Sequence, residues 1–94
     1  MRQLLVVGNW KMNGSRAGIT TLLGDLLHAP FAAGPEVVVC PVYVHLPYVL
    51  DICATSAITV GAQDCSHMQS GAYTGEVATG MLADIGCRWV ILGH

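Results

Sequence analysis

The stretch RWVILGH (residues 88–94) decides how this chain is read. An aromatic and aliphatic run, Trp89 to Leu92, leads into Gly93 and His94. That is the pattern of a buried strand delivering a polar side chain at its C-terminal end. Three further segments share it: LLVVGNW (4–10), EVVVCP (36–41) and AITVGAQ (57–63). Continuous apolar runs, rather than strict alternation, predict strands covered on both faces, as in parallel sheets.

Helical patterns separate these strands. In SRAGITTLLGDLLHA (15–29), Ile19, Leu22, Leu23, Leu26 and Leu27 fall on one face, and Ser15 is a candidate N-cap. VHLPYVLDICA (44–54) predicts a short helix that accommodates Pro47 only in its first turn. TGEVATGMLADIG (74–86) predicts a helix beginning at Thr74 or Gly75 and closed by Gly86 at the position after the C-cap. The order β-α-β-α-β-α-β implies right-handed crossovers and a parallel sheet in one α/β domain, residues 1–94.

Composition limits the function classes. The chain is 53% hydrophobic and 11% charged, with a mean hydropathy of +0.56. Soluble domains average about 25% charged residues, so such a sequence either hides nearly all its apolar surface or is covered by something larger. The net charge is −2, and Arg2, Lys11, Arg16 and Arg88 are scattered, giving no footprint for nucleic acid. The longest apolar stretch, residues 37–50, is broken by His45 and two prolines and is too short for a bilayer span. No secretory leader is legible at the N-terminus, so a cytoplasmic, non-membrane protein is expected. Cys40, Cys53, Cys65 and Cys87 have no metal-ligand spacing and are expected to be reduced, buried thiols. His28, His45 and His67 suggest no metal site either.

Working residues of parallel α/β folds collect beyond the C-terminal ends of the strands. Those ends carry Asn9 and Lys11, Pro41, Gln63 and Asp64, and His94. An amide, an ammonium and an imidazole on one rim suit a small anionic substrate with a carbonyl, because they offer positive charge and hydrogen-bond donors to a developing oxyanion. From spacing alone, Lys11 is equally the first solvated residue past a buried strand, and Asn9 equally a turn cap. The connection DCSHMQSGAYTG (64–75) is long for a strand-to-helix loop, which usually takes about 2–6 residues. Long ordered loops are usually functional.

Three blocks, VVGNWKMNG (6–14), VGAQDCS with GAYTGEV (60–77) and MLADIGCRWVILGH (81–94), closely resemble the triosephosphate isomerase family in wording, order and separation. The resemblance implies the first half of a (β/α)8 barrel, strands 1–4 and helices 1–3. It also implies a homodimer without metal or organic cofactor. The implied reaction interconverts dihydroxyacetone phosphate and glyceraldehyde 3-phosphate, in glycolysis and gluconeogenesis. By position, Asn9 and Lys11 match the family's substrate-binding pair, with Lys11 catalytic as well. His94 matches its electrophilic histidine, a role already established for this family, in which a neutral imidazole polarises the carbonyl while a glutamate moves the proton. Thr74 matches the tip of a loop that family members insert into the partner subunit, with Met12 and Gln63 near the same interface.

Val42 and Asp64 depart from the family's usual proline and asparagine. The glutamate base, the lid and the later phosphate-binding loops are not in these 94 residues, so the chain alone is expected to be inactive. Two other readings are open. One is a half-barrel that associates with itself or a complementary fragment. The other is a small non-catalytic phosphate-binding domain of flavodoxin-like architecture.

Overall fold

The computed structural model describes residues 3–28 and 34–94. Its elements are β1 (Leu5–Asn9), α1 (Arg16–His28), β2 (Glu36–Cys40), a 3-10 turn (Tyr43–His45), α2 (Leu46–Cys53), β3 (Thr59–Ala62), α3 (Thr79–Asp84) and β4 (Trp89–Val90). The strands form a single parallel sheet in the order β1-β2-β3-β4. Sequence neighbours are therefore neighbours in space, each joined through a helix, as in the first half of a (β/α)8 barrel. Arg2 and Ala29, the last residue of the expected first helix, lie outside the described residues.

α1 starts where Ser15 allows it to start. The Ser15 Oγ accepts the Gly18 N–H at 3.1 Å, and the Ser15 carbonyl takes the first helical bond from Ile19 at 2.8 Å. This satisfies one of the donors a helix leaves unpaired in its first turn. α2 carries Pro47 in its first turn, where the missing N–H breaks no helical bond. α3 ends in a full Schellman motif: Gly86 N–H bonds the Ala83 carbonyl and Cys87 N–H bonds that of Leu82, both at 3.0 Å. Gly86 has φ 105°, a region from which a side chain is nearly excluded.

All three helices cover one face of the sheet. Ile19 and Leu23 of α1, Leu46, Val49 and Cys53 of α2, and Leu82 of α3 pack with Val39, Ile58, Val60 and Ala62 into one buried cluster. Each fully buried aliphatic side chain of this kind contributes roughly 1.5–3 kcal/mol. A polar seam joins α1 to α2, where the Arg16 guanidinium lies 5.3 Å above the Tyr48 ring and the Tyr48 hydroxyl hydrogen-bonds Thr20.

The opposite face is built from the alternate residues. The register places Val7 beside Val38, Asn9 beside Cys40, and Gly61 beside Trp89. Gly61 is required there: a Cβ would stand 2.9 Å from Trp89 Cβ and 3.0 Å from Cys40 Sγ. Its absence lets Trp89 and Cys40 approach across β3.

Four expectations are corrected. Leu22 and Leu27 are exposed, because only the Ile19–Leu23 side of α1 meets the sheet. α3 begins at Thr79 rather than near Thr74, because Ser66 N–H bonds the Val77 carbonyl at 2.7 Å and a parallel bridge pairs Ser66 with Ala78. That bridge holds residues 77–78 extended. β4 is only two residues long, although Ile91 N–H still reaches the Ala62 carbonyl at 3.0 Å. Finally, coverage on both faces fails for β1, where Leu5, Val6 and Val7 are all exposed.

Among the described residues, no helix is long and apolar enough to cross a membrane. No group of three or more His, Cys, Asp or Glu among them is arranged to hold a metal ion. The four cysteines are free, with Cys40 and Cys53 buried.

Candidate functional site

Lys11 is the one non-glycine residue among those described with a positive φ, at 55°. A lysine in the left-handed region costs about 1–2 kcal/mol relative to the right-handed one, and persists only where its surroundings fix it. Two contacts do so. Asn9 Oδ1 accepts the Lys11 N–H at 3.0 Å, closing an Asx turn just past β1. From the other side, Gln63 Nε2 donates to the Lys11 carbonyl at 2.7 Å and to the Cys40 carbonyl at 2.9 Å. The Cys40 carbonyl also accepts the Trp10 N–H at 3.1 Å. The ends of β1, β2 and β3 are thus tied into one rim.

Asn9, Lys11, Met12, Gln63, Asp64 and His94 line a single cleft of ≈ 440 Å³ on that rim. The Asn9 oxygen is committed to Lys11 N–H, which leaves its amide nitrogen as the donor available to a ligand. Lys11 and His94 add an ammonium and an imidazole at the same opening. This set suits a small phosphorylated or carboxylated molecule, held by charge and by N–H donors.

The sequence-derived candidates therefore divide. Asn9, Lys11 and His94 meet in the cleft, and so do Gln63 and Met12, which the resemblance implied at a subunit interface. Met12 is 92% exposed. Thr74 is exposed in the long connection and does not line that cleft. Asp64 was assigned no role from the sequence, yet it lines the cleft. It follows directly on Gln63, which places it just past the rim. The main-chain anchoring by Gln63 was invisible in the sequence, because its acceptors are carbonyls 52 and 23 residues away.

Beside the rim, Tyr43 is pushed up to about 12 by burial and by the nearby Asp64, Cys65 and Glu76. Burial likewise raises the Cys40 thiol, with Cys87 adding to the effect and a backbone hydrogen bond from Gly61 opposing it. Burial also raises Cys53 and Cys87. These thiols stay protonated near neutral pH, which makes them poor nucleophiles.

A parallel α/β sheet with its polar residues gathered beyond the C-terminal strand ends defines a protein of the barrel-forming (β/α) class. A family model described as triosephosphate isomerase matches residues 4–94. Curated triosephosphate isomerases are similar throughout: that of Nitrosococcus oceani is 53% identical over 96 residues, and that of Dechloromonas aromatica 50% over 95. That of Bordetella pertussis is 50% identical over 93. These alignments cover 99–100% of this chain and 38% of each relative. The chain belongs to the triosephosphate isomerase family and spans a little over a third of the length of the relatives it matches.

Proposed function

We propose that residues 1–94 supply the substrate-binding and electrophilic half of an isomerase site. That site would interconvert dihydroxyacetone phosphate and glyceraldehyde 3-phosphate. The observation that carries this reading is the convergence of Asn9, Lys11 and His94 on one cleft. In the reaction a proton leaves the carbon beside the carbonyl, an enediolate forms, and the proton returns to the neighbouring carbon. Negative charge grows on the carbonyl oxygen as the first proton leaves. Lys11 supplies fixed positive charge there and toward the phosphate, and His94 and Asn9 supply N–H donors aimed at the same oxygen. A neutral imidazole matches the weakly acidic enediol better than a cation does, in keeping with the family's established use of histidine.

The carbon-to-carbon transfer needs a base. The carboxylate on this cleft is Asp64, and the family resemblance assigns the transfer to a glutamate outside these 94 residues. The chain by itself therefore binds substrate without turning it over. The homodimer suggested by the resemblance, with Thr74, Met12 and Gln63 at a subunit contact, and the cytoplasmic location expected from the composition belong to the same proposal.

The test is a chimera in which residues 1–94 replace the matching segment of the Nitrosococcus oceani relative, 53% identical to it. The chimera should isomerise dihydroxyacetone phosphate, and Lys11→Ala or His94→Ala should each lower kcat/KM by about 10²–10³-fold. A folded chimera without turnover, or one indifferent to both substitutions, would falsify the assignment.

A further inference from the structure

We propose that Asp64 is a specificity-determining residue of the cleft: its carboxylate, held on the same lining as Lys11, weakens the binding of phosphorylated ligands in step with their negative charge. The inference rests on the isomerase reading for the natural ligand, whereas its electrostatic part concerns any small anion.

An acidic side chain runs against the rest of the lining. Asn9, Lys11 and His94 offer N–H donors and an ammonium to an anion, yet Asp64 shares their opening. The formal charges of Lys11 and Asp64 on this cleft cancel. The proposed reaction gives Asp64 no step, because the resemblance assigns proton transfer to a glutamate elsewhere. Its charge is therefore left to act on binding.

Asp64 is exposed, but its backbone is pinned on both sides. Gln63, the residue before it, donates to the Lys11 carbonyl at 2.7 Å and to the Cys40 carbonyl at 2.9 Å. Two residues later, Ser66 N–H bonds the Val77 carbonyl at 2.7 Å. The same Gln63 amide thus fixes the backbone of Lys11 and the approach to Asp64, which keeps the two charges at one rim. The neighbourhood already registers this carboxylate: burial raises Tyr43 most, and Asp64 comes next.

The dimensions decide that the charge reaches a ligand. A cleft of ≈ 440 Å³ is about 9 Å across if spherical, within the ~10 Å Debye length at 0.1 M salt. A unit charge at such a range changes the affinity of a doubly charged ligand by about three- to tenfold in a solvated site. With Lys11 offset in this way, recognition falls more to the directional donors of Asn9 and His94 than to net charge. A triose phosphate, which engages those donors through its carbonyl, is then favoured over a bare anion of equal charge.

Two measurements test this: titration of the 94-residue chain with inorganic phosphate, and kinetics of the chimera on dihydroxyacetone phosphate. Asp64→Asn keeps the shape of the side chain and an acceptor oxygen while removing the charge. It should lower the phosphate Kd and the KM each by about three- to tenfold at low salt, with a smaller change in kcat. In ~0.5 M salt, where the Debye length is about 4 Å, the gain should shrink below about twofold. Asp64→Glu retains the charge and should stay near the parent in both measurements. If Asp64→Asn fails to fold, Asp64→Ser removes the same charge. Tighter phosphate binding by the variant, beside a folded chimera without turnover, upholds this inference and sinks the isomerase reading. Unchanged Kd and KM, a gain that persists at high salt, or a loss of kcat with no gain in affinity overturns it.

Discussion

Gln63 holds Lys11 by its main chain: a single amide nitrogen donates to the Lys11 carbonyl at 2.7 Å and to the Cys40 carbonyl at 2.9 Å. The contact spans β1, β2 and β3 at the rim, where an unsupported left-handed lysine would relax. Removing the amide leaves the Lys11 carbonyl to solvent and half-satisfies that of Cys40. Gln63→Ala should destabilise the fold by about 1–2 kcal/mol, read as a lower urea midpoint at unchanged slope. An unaltered midpoint would mean that the two bonds do not hold the rim.

The φ of 55° at Lys11 carries its own prediction. Lys11→Ala and Lys11→Gly remove the same ammonium, but only glycine adopts the left-handed region without steric conflict. Lys11→Gly should therefore be more stable than Lys11→Ala by about 1 kcal/mol, with both losing affinity for dihydroxyacetone phosphate. Equal stabilities would show that the Asx turn and the Gln63 contact have shifted the backbone rather than resisted the strain.

The rim and the strands were legible in the sequence because they depend on residue order: short β-branched runs ending in polar residues. Ser15 and Gly86 were legible for the same local reason, since helix caps act within a few residues. What failed depended on distant partners. The apolar spacing on α1 includes Leu22 and Leu27, but how much of a helix face is buried is set by the sheet beneath it. The late start of α3 follows from the Ser66–Ala78 bridge, twelve residues apart, which no periodicity announces. Asn9, Lys11 and His94 were identifiable as rim residues, whereas the hold of Gln63 on Lys11 required two strands to be in place.

Two glycines, Gly8 on β1 and Gly61 on β3, separate backbone freedom from space. A methyl at Gly61 meets Trp89 Cβ at 2.9 Å and the Trp89 carbonyl at 3.0 Å, neither of which is the flexible end of a side chain. At Gly8 the nearest atoms stand at 3.7 Å or more, ordinary contact. Gly61→Ala should cost roughly 1–3 kcal/mol by overpacking, and β4, held by two register pairs, should loosen first. Gly8→Ala should be neutral or slightly stabilising, since it reduces the freedom of the unfolded chain. Hydrogen exchange at Ile91, whose N–H bonds Ala62, reads the difference. Equal protection in the two variants would contradict the steric account.

Alkali should unfold this chain in two stages. Cys40, Cys53 and Cys87 are raised above the ordinary thiol value of 9.0, chiefly by burial. Tyr43 is raised from 10.0 to about 12. In each case the unfolded chain releases its proton at a lower pH than the folded one. Folded stability is thus fully present below the ordinary value and is lost as pH rises through the raised one. The urea midpoint should be level at roughly pH 7–8, fall as pH passes 9.0 where the thiols begin to ionise in the unfolded chain, and fall further between 10.0 and about 12 through Tyr43. Tyr43→Phe removes the second stage and leaves the first. If the variant and the parent chain decline in parallel above pH 10, neither burial nor the neighbouring Asp64, Cys65 and Glu76 can be what holds the Tyr43 proton.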